Sequence, residues 1–292
     1  MRIGFIGYGE AAFEMSAGLN DEGLTNMIAY DPMWNHPDLK QLILDRSTQA
    51  SVQLVPTIEE AVQQATILIV AVPADQANQV SQTIAPFLSE GQLYVDVSAS
   101  TPDVKLQIAG HVGAEGGLFV DAAMMGSLPV YKHQVPILAS GTGTDSFIQF
   151  MTPYHMDIEK VSETAGDASA TKLIRSIYMK SVAALFIEML EAAKHFKVDQ
   201  LVIESVIESM DKQSFEATMN RLVTGTAVHS RRRAVELEGT ISMLESEQLS
   251  SVMTKAAKEK LEQLTAHKLK EQLNGQTPKS WEDVIDLLTV AK

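Results

Sequence analysis

Apolar and polar positions follow two different rhythms along this chain. Up to about residue 157, short apolar runs at 2–6, 26–30, 66–72, 93–98, 118–122 and 135–140 alternate with helically spaced segments at 11–20, 58–64, 76–87 and 102–110. The run at 66–72 is continuous and largely β-branched, as a strand covered on both faces of a parallel sheet requires. Strands and helices alternating at this spacing predict βαβ units. Beyond residue 157 the strand pattern stops. Residues 167–196 contain neither Gly nor Pro and read as one long helix. Further helices are expected over 199–210, 212–222, 226–245, 247–273 and 278–290. Gly225 and the pair Gly275 and Pro278 serve as stops, and Gly239 as a tolerated interior position or a break. The expected fold is an α/β doubly wound parallel sheet over 1–160, followed by an all-α domain over 161–292.

Composition narrows the chemistry. The 292 residues are 45% hydrophobic and 21% charged, enough apolar material for a core and too much for a disordered chain. The absence of cysteine removes disulfides, thiolate-bound zinc, iron–sulfur clusters and thiol nucleophiles. The net charge of −14 divides into −12 over residues 1–160 and −2 over 161–292. So anionic a chain is a poor partner for nucleic acid or an anionic membrane. With no signal peptide or apolar span, a cytoplasmic protein is expected. His111, His133, His155, His195 and His267 are scattered without ligand spacing, so no metal is expected.

The first candidate site is a glycine-rich turn. Gly7-x-Gly9-x-x-Ala12 follows the first expected strand and opens the first expected helix. Gly7 permits a tight turn, Gly9 lets backbone approach a pyrophosphate, and Ala12 lets helix and strand pack closely. The helix N-terminus then offers amides and a positive dipole end, so Gly7, Tyr8, Gly9, Glu10, Ala11 and Ala12 form a phosphate cradle that needs no lysine. Asp31 closes the second strand, 19 residues after Ala12, where a carboxylate accepts the ribose hydroxyls. It would repel a 2′-phosphate, and residues 32–36 contain no Arg or Lys to receive one, which favours NAD over NADP. A Rossmann-type domain follows from this combination. Val72, Pro73 and Ser98 end further strands at the edge where such sheets bind ligands. Taken alone, Pro73 reads equally as a strand stop and Ser98 as a turn or helix cap.

The second stretch opens the long helix. At 100° per residue, Lys172, Arg175, Ser176 and Lys180 share one face, with Leu173, Ile174, Ile177, Tyr178 and Leu185 opposite. A solvated face usually mixes both signs, and cations near a helix N-terminus oppose its dipole. Three cations with no acid there suit an anionic substrate.

With these motifs in view, the chain resembles the β-hydroxyacid dehydrogenase superfamily, which includes 6-phosphogluconate and 3-hydroxyisobutyrate dehydrogenases. It is most similar to a branch with a phosphogluconate-dehydrogenase-like C-terminal helical domain. Gly7, Gly9 and Ala12 match the family's dinucleotide motif, and Gly166, Ala168 and Lys172 match its G-x-G-x-x-x-K. The resemblance implies that Lys172 is the acid/base, and that the protein is a homodimer or larger oligomer with helical domains packed together. The family's D-A-P-V-S-G-G reads Asp121-Ala122-Ala123-Met124-Met125-Gly126-Ser127 here, and its asparagine after the lysine is replaced by Arg175 and Ser176. These departures turn the expectation away from the familiar substrates while leaving hydride chemistry in place. Where the family has a Lys-Asp pair, this chain has His229 through Glu236. A helix starting there would align His229, Arg232, Arg233 and Glu236.

The expected activity is NAD(P)-dependent hydride transfer between nicotinamide and a small hydroxy acid or its keto form, in a cleft between the two domains. Lys172 would exchange the hydroxyl proton, its pKa lowered by desolvation and by neighbouring Arg175 and Lys180. Ser98, Gly126, Ser127, Arg175, Ser176, His229, Arg232 and Arg233 would contact substrate. Two alternatives are an imine or opine-type reductase on the same scaffold and a non-catalytic NAD sensor.

Overall fold

A computed structural model of the chain describes residues 1–289. The chain divides into two compact units, Met1–Ile177 and the remainder from Tyr178.

The first unit is built on an eight-stranded sheet: β1 (Ile3–Ile6), β2 (Met27–Tyr30), β3 (Gln53–Leu54), β4 (Ile67–Val70), β5 (Leu93–Asp96), β6 (Leu118–Met124), β7 (Ile137–Ser140) and β8 (Ile158–Ser162). Their spatial order is β3-β2-β1-β4-β5-β6-β7-β8, so the direction of winding reverses between β1 and β4. The first six strands are parallel, and β7 and β8 run the other way. Strand alternation sorts the side chains onto two faces. Ile3, Phe5, Ile67 and Ile69 meet Ala12, Met15 and Leu19 of α1 (Glu10–Asp21). Ile6, Leu68, Val70 and Tyr94 lie on the opposite face, covered by α3 (Ile58–Gln64), α4 (Ala77–Ile84) and α5 (Pro102–Ala114). Between α1 and α3, α2 (Lys40–Gln49) precedes β3. The short α6 (Leu128–Tyr131) and α7 (Thr144–Met151) flank β7. The mostly parallel α/β sheet is as expected, with β7 and β8 as its antiparallel part.

The strand pattern does not stop at residue 157, since β8 follows. Its side chains alternate between half-buried and exposed, and with Glu159 and Lys160 inside it the apolar signal is weak. Helices α2 and α7 were not expected either.

The division between units falls within α8 (Asp167–His195), which matches the single long helix expected there. The second unit continues with α9 (Asp199–Met210), α10 (Phe215–Ser246), α11 (Val252–Ala266), α12 (Leu269–Gln272) and α13 (Trp281–Thr289). Helix α10 packs on α11, α12 and α13 around Ala227, Leu269 and Val284. Gly225 is not a stop: α10 runs unbroken through Gly225 and Gly239. A glycine inside a helix costs only about 1 kcal/mol relative to Ala, which packing of the rest offsets. The helix expected over 247–273 is instead two, separated at Lys268, whose φ of 53° is left-handed. The last expected helix is found as α13, and its final position, 290, lies outside the described residues.

Candidate active site

The site is best followed along one level of the sheet. Strand register aligns Tyr30, Ile6, Val70, Asp96, Asp121 and Ser140 side by side, and Ser140 with Ser162. Seven residues from seven strands thus form a row, and the candidate groups of this unit stand on it or just beyond it.

At the β1 end, Gly7 has φ +82°, and a Cβ there would lie 2.5 Å from the Ala71 carbonyl oxygen. The position therefore accepts only glycine. The Gly7 amide donates to the Tyr30 carbonyl at 2.8 Å, which fastens the turn to β2. Gly9 precedes α1 with no side-chain cap, and a Cβ there would meet nothing within 4 Å. The first amides of α1, at Glu10, Ala11 and Ala12, have no intrahelical acceptor. An open approach at Gly9 over such a helix end fits a pyrophosphate.

Tyr8 contributes differently from its neighbours. Its side chain is fully buried and its hydroxyl pairs with Ser16 Oγ at 2.8 Å. Burial pushes the phenol up to about 12. Its amide donates to Asp31 Oδ2 at 2.6 Å, while Asp31 Oδ1 accepts from the Met33 amide at 2.8 Å. Asp31 is thereby oriented by two main-chain donors, and each oxygen keeps a lone pair for a ribose hydroxyl.

Val72 packs against Gly7, and Pro73 is exposed in the loop after β4. Ser98 is buried in the loop after β5. Its amide donates to Asp96 Oδ1 at 2.8 Å, its hydroxyl pairs with Ser100 Oγ at 2.8 Å, and Ser100 donates to the Ala74 carbonyl at 3.1 Å. This chain ties the loops after β4 and β5 together. Gly126 and Ser127 are exposed beyond β6.

Helix α8 starts against the same row. Gly166, with φ +96°, brings its backbone so close to Pro102 that a Cβ would sit 2.9 Å from that residue's oxygen. Ser162 donates to Asp167 Oδ2 at 2.6 Å, and Ser140 Oγ accepts from the Ala168 amide at 3.1 Å. Asp121 receives both the Ser169 amide at 2.8 Å and its hydroxyl at 2.7 Å. Three neighbouring strands thus hold the turn that precedes Lys172. Lys172 is half-buried, more sheltered than Arg175 or Lys180, and Ser176 spends its hydroxyl on the Lys172 carbonyl at 2.9 Å. The opposite, apolar face is exposed, with Ile174 and Ile177 each about two-thirds accessible.

In the second unit, His229 stands in the middle of α10, not at a helix start. His229 and Arg232 line a cavity of about 670 Å³ with Arg231, Lys268 and Lys270. Arg232 pairs with Glu236 at 3.3 Å. Arg233 is not in this group; it donates to Thr226 Oγ1, seven residues and about two turns back on the same helix.

Sequence reading missed a buried cluster. Lys105, Asp96 and Asp121 are wholly inaccessible, with Lys105 Nζ 3.1 Å from Asp121 Oδ1 and 3.4 Å from Asp96 Oδ1. The signal that could have revealed it is a charged residue inside each of two apolar strand runs.

Comparison with known proteins agrees with this architecture. Residues 2–149 match the family described as the NAD binding domain of 6-phosphogluconate dehydrogenase, and residues 193–264 match a domain of unknown function, DUF1932. An uncharacterized 28.5 kDa protein of Methanothermus fervidus is 26% identical over 265 residues, covering 88% of this chain and 96% of its own. A solved conserved protein, reported as structurally similar to 3-hydroxyacid dehydrogenases, is 28% identical with a TM-score of 0.62, covering 94% of this chain and all of its own. A reductive aminase from Aspergillus terreus, solved with NADPH and ethyl-5-oxohexanoate, shares the fold with a TM-score of 0.72 at 16% identity, over 98% of this chain and 99% of its own. Among the described residues, no helix is long and apolar enough to cross a membrane.

Proposed function

Since the chain belongs to the family of the 6-phosphogluconate dehydrogenase NAD binding domain, an NAD(P)-binding oxidoreductase fold is its framework, and we propose that it interconverts a small hydroxy acid and its keto form. The nicotinamide cofactor supplies the hydride acceptor or donor when bound. The amides of Glu10, Ala11 and Ala12 bind the pyrophosphate, and Asp31 takes the ribose hydroxyls, which favours NAD over NADP. The buried Tyr8 phenol takes no part; its amide orients Asp31. Lys172 exchanges a proton with the substrate's hydroxyl oxygen. Ser98, Gly126 and Ser127 orient the substrate, and Arg175 is assigned to its acid group. The protein is assigned to the cytoplasm.

The observation that supports this reading is the row itself. The turn that accepts a pyrophosphate and the anchored turn that precedes Lys172 rest on one level of one sheet. Self-association belongs to the same proposal. Ile174, Ile177, Phe186 and Ile187 of α8 are exposed, and α9 buries no residue, a surface that monomers rarely leave uncovered.

The test is a panel of hydroxy acids assayed by NADH absorbance, with NAD and NADP in parallel and an arm of keto acid plus amine. The fold shared with a reductive aminase motivates that arm. Lys172→Ala is expected to lower turnover by about 10²–10⁴-fold, the usual contribution of a general acid/base, with NADH affinity unchanged. Normal turnover in Lys172→Ala ends the mechanism.

A further inference from the structure

The Lys105 cluster lies beneath the candidate site, and neither the dinucleotide nor the proton chemistry uses it. One ammonium faces two carboxylates, and all three side chains are inaccessible to water. Lys105 also donates to the Asp96 main-chain carbonyl at 3.1 Å. Among the described residues, Asp96 Oδ2 has no hydrogen-bond partner. Such a cluster is costly to bury, and well-packed apolar side chains of similar volume are often as stable or more so. Stability alone is therefore a weak reason for it.

Each carboxylate also reaches outward. Asp96 Oδ1 holds the Ser98 amide, and through Ser98 and Ser100 it reaches the loop after β4. Asp121 holds the amide and hydroxyl of Ser169, three residues and nearly one helical turn before Lys172. Lys105 rises from α5, between the two strand ends, and draws both carboxylates to one point. Without it, two like charges would face each other across neighbouring strands in a low-dielectric interior.

We propose that Lys105 is a positioning residue: its buried ammonium sets the spacing between the loop that carries Ser98 and the first turns of α8 that carry Lys172. The proposal rests on the reading of Lys172 as the acid/base, and its test separates the two.

The informative variant is Lys105→Met/Asp96→Asn. It removes the link, keeps one net negative charge in the cluster, and leaves acceptors for Ser98 and Ser169. Two readouts are taken on the full chain. The first is the pH profile of Lys172 modification by a small amine-reactive reagent, followed by peptide mass spectrometry without substrate or cofactor. The second is kcat against KM on a substrate from the panel. The expected result is a displaced pH profile at Lys172 with Lys180 unchanged, and a loss in kcat on the order of 10²-fold with KM little altered, as a misplacement of about 1 Å produces. A folded variant with the parental Lys172 profile overturns the proposal. If that variant does not fold, Ser169→Ala carries the same readout, because it cuts one link to Asp121 and leaves the buried charges alone. A displaced profile then supports the proposal, and an unchanged one overturns it. Failure of the acid/base reading shows separately, as retained turnover in Lys172→Ala.

Discussion

Tyr8 shows how one residue can serve two structures at once. Its amide belongs to the glycine turn and its ring to the core, so the two roles separate by mutation. Tyr8→Phe removes the hydroxyl bonded to Ser16 and keeps the amide on Asp31. It is expected to cost about 1 kcal/mol, the net worth of a typical hydrogen bond, and to leave NADH affinity unchanged. The pH dependence has a defined sign. Folding raises the phenol from 10.0 to about 12, so the unfolded chain loses this proton first as pH rises. Stability therefore falls between about pH 10 and 12 in the parent. Denaturant titrations across that range should show a shallower fall in Tyr8→Phe. At this scale the sequence was legible wherever backbone chemistry dictates the residue, as at Gly7. It was opaque where a role depends on partners far along the chain. Lys105, Asp96 and Asp121 meet only because β5, β6 and α5 adjoin, and nothing local in any of them announces the other two.

Among elements, α10 is the most instructive. Its glycines read locally as punctuation, yet tertiary packing carries the helix through both. Gly239 is exposed, and an added Cβ would meet nothing within 4 Å. Gly239→Ala should therefore stabilise the protein by up to about 1 kcal/mol through helix propensity alone. Thermal unfolding is the check, and an unchanged or lowered midpoint contradicts the argument. The elements that were legible carry strong local patterns: the wholly apolar β4 and the glycine-free opening of α8. Strand β8 was not, because a half-exposed strand with charged residues in it needs its neighbour β7 to be recognised. The boundary between α11 and α12 rests on one left-handed residue, Lys268, a conformation no lysine advertises.

At the scale of the molecule, charge and surface apolarity complement each other. The first 160 residues carry −12, yet their proposed ligand is an anion. The glycine turn answers this with main-chain amides, whose partial charges do not titrate. The exposed apolar face of α8 argues for a second copy of the chain. Sedimentation at micromolar concentration is expected to show a dimer or larger species. Ile174→Glu/Ile177→Glu should shift it toward monomer and leave NADH binding at the glycine turn intact. A parent protein that sediments as a monomer at tens of micromolar would refute the assignment.

The trio of one ammonium between two carboxylates also has an evolutionary consequence. No member can drift by itself: losing the cation strands two anions, and losing either anion frees one end of the link. Lineages descended from this chain should therefore inherit the three together or replace them in concert.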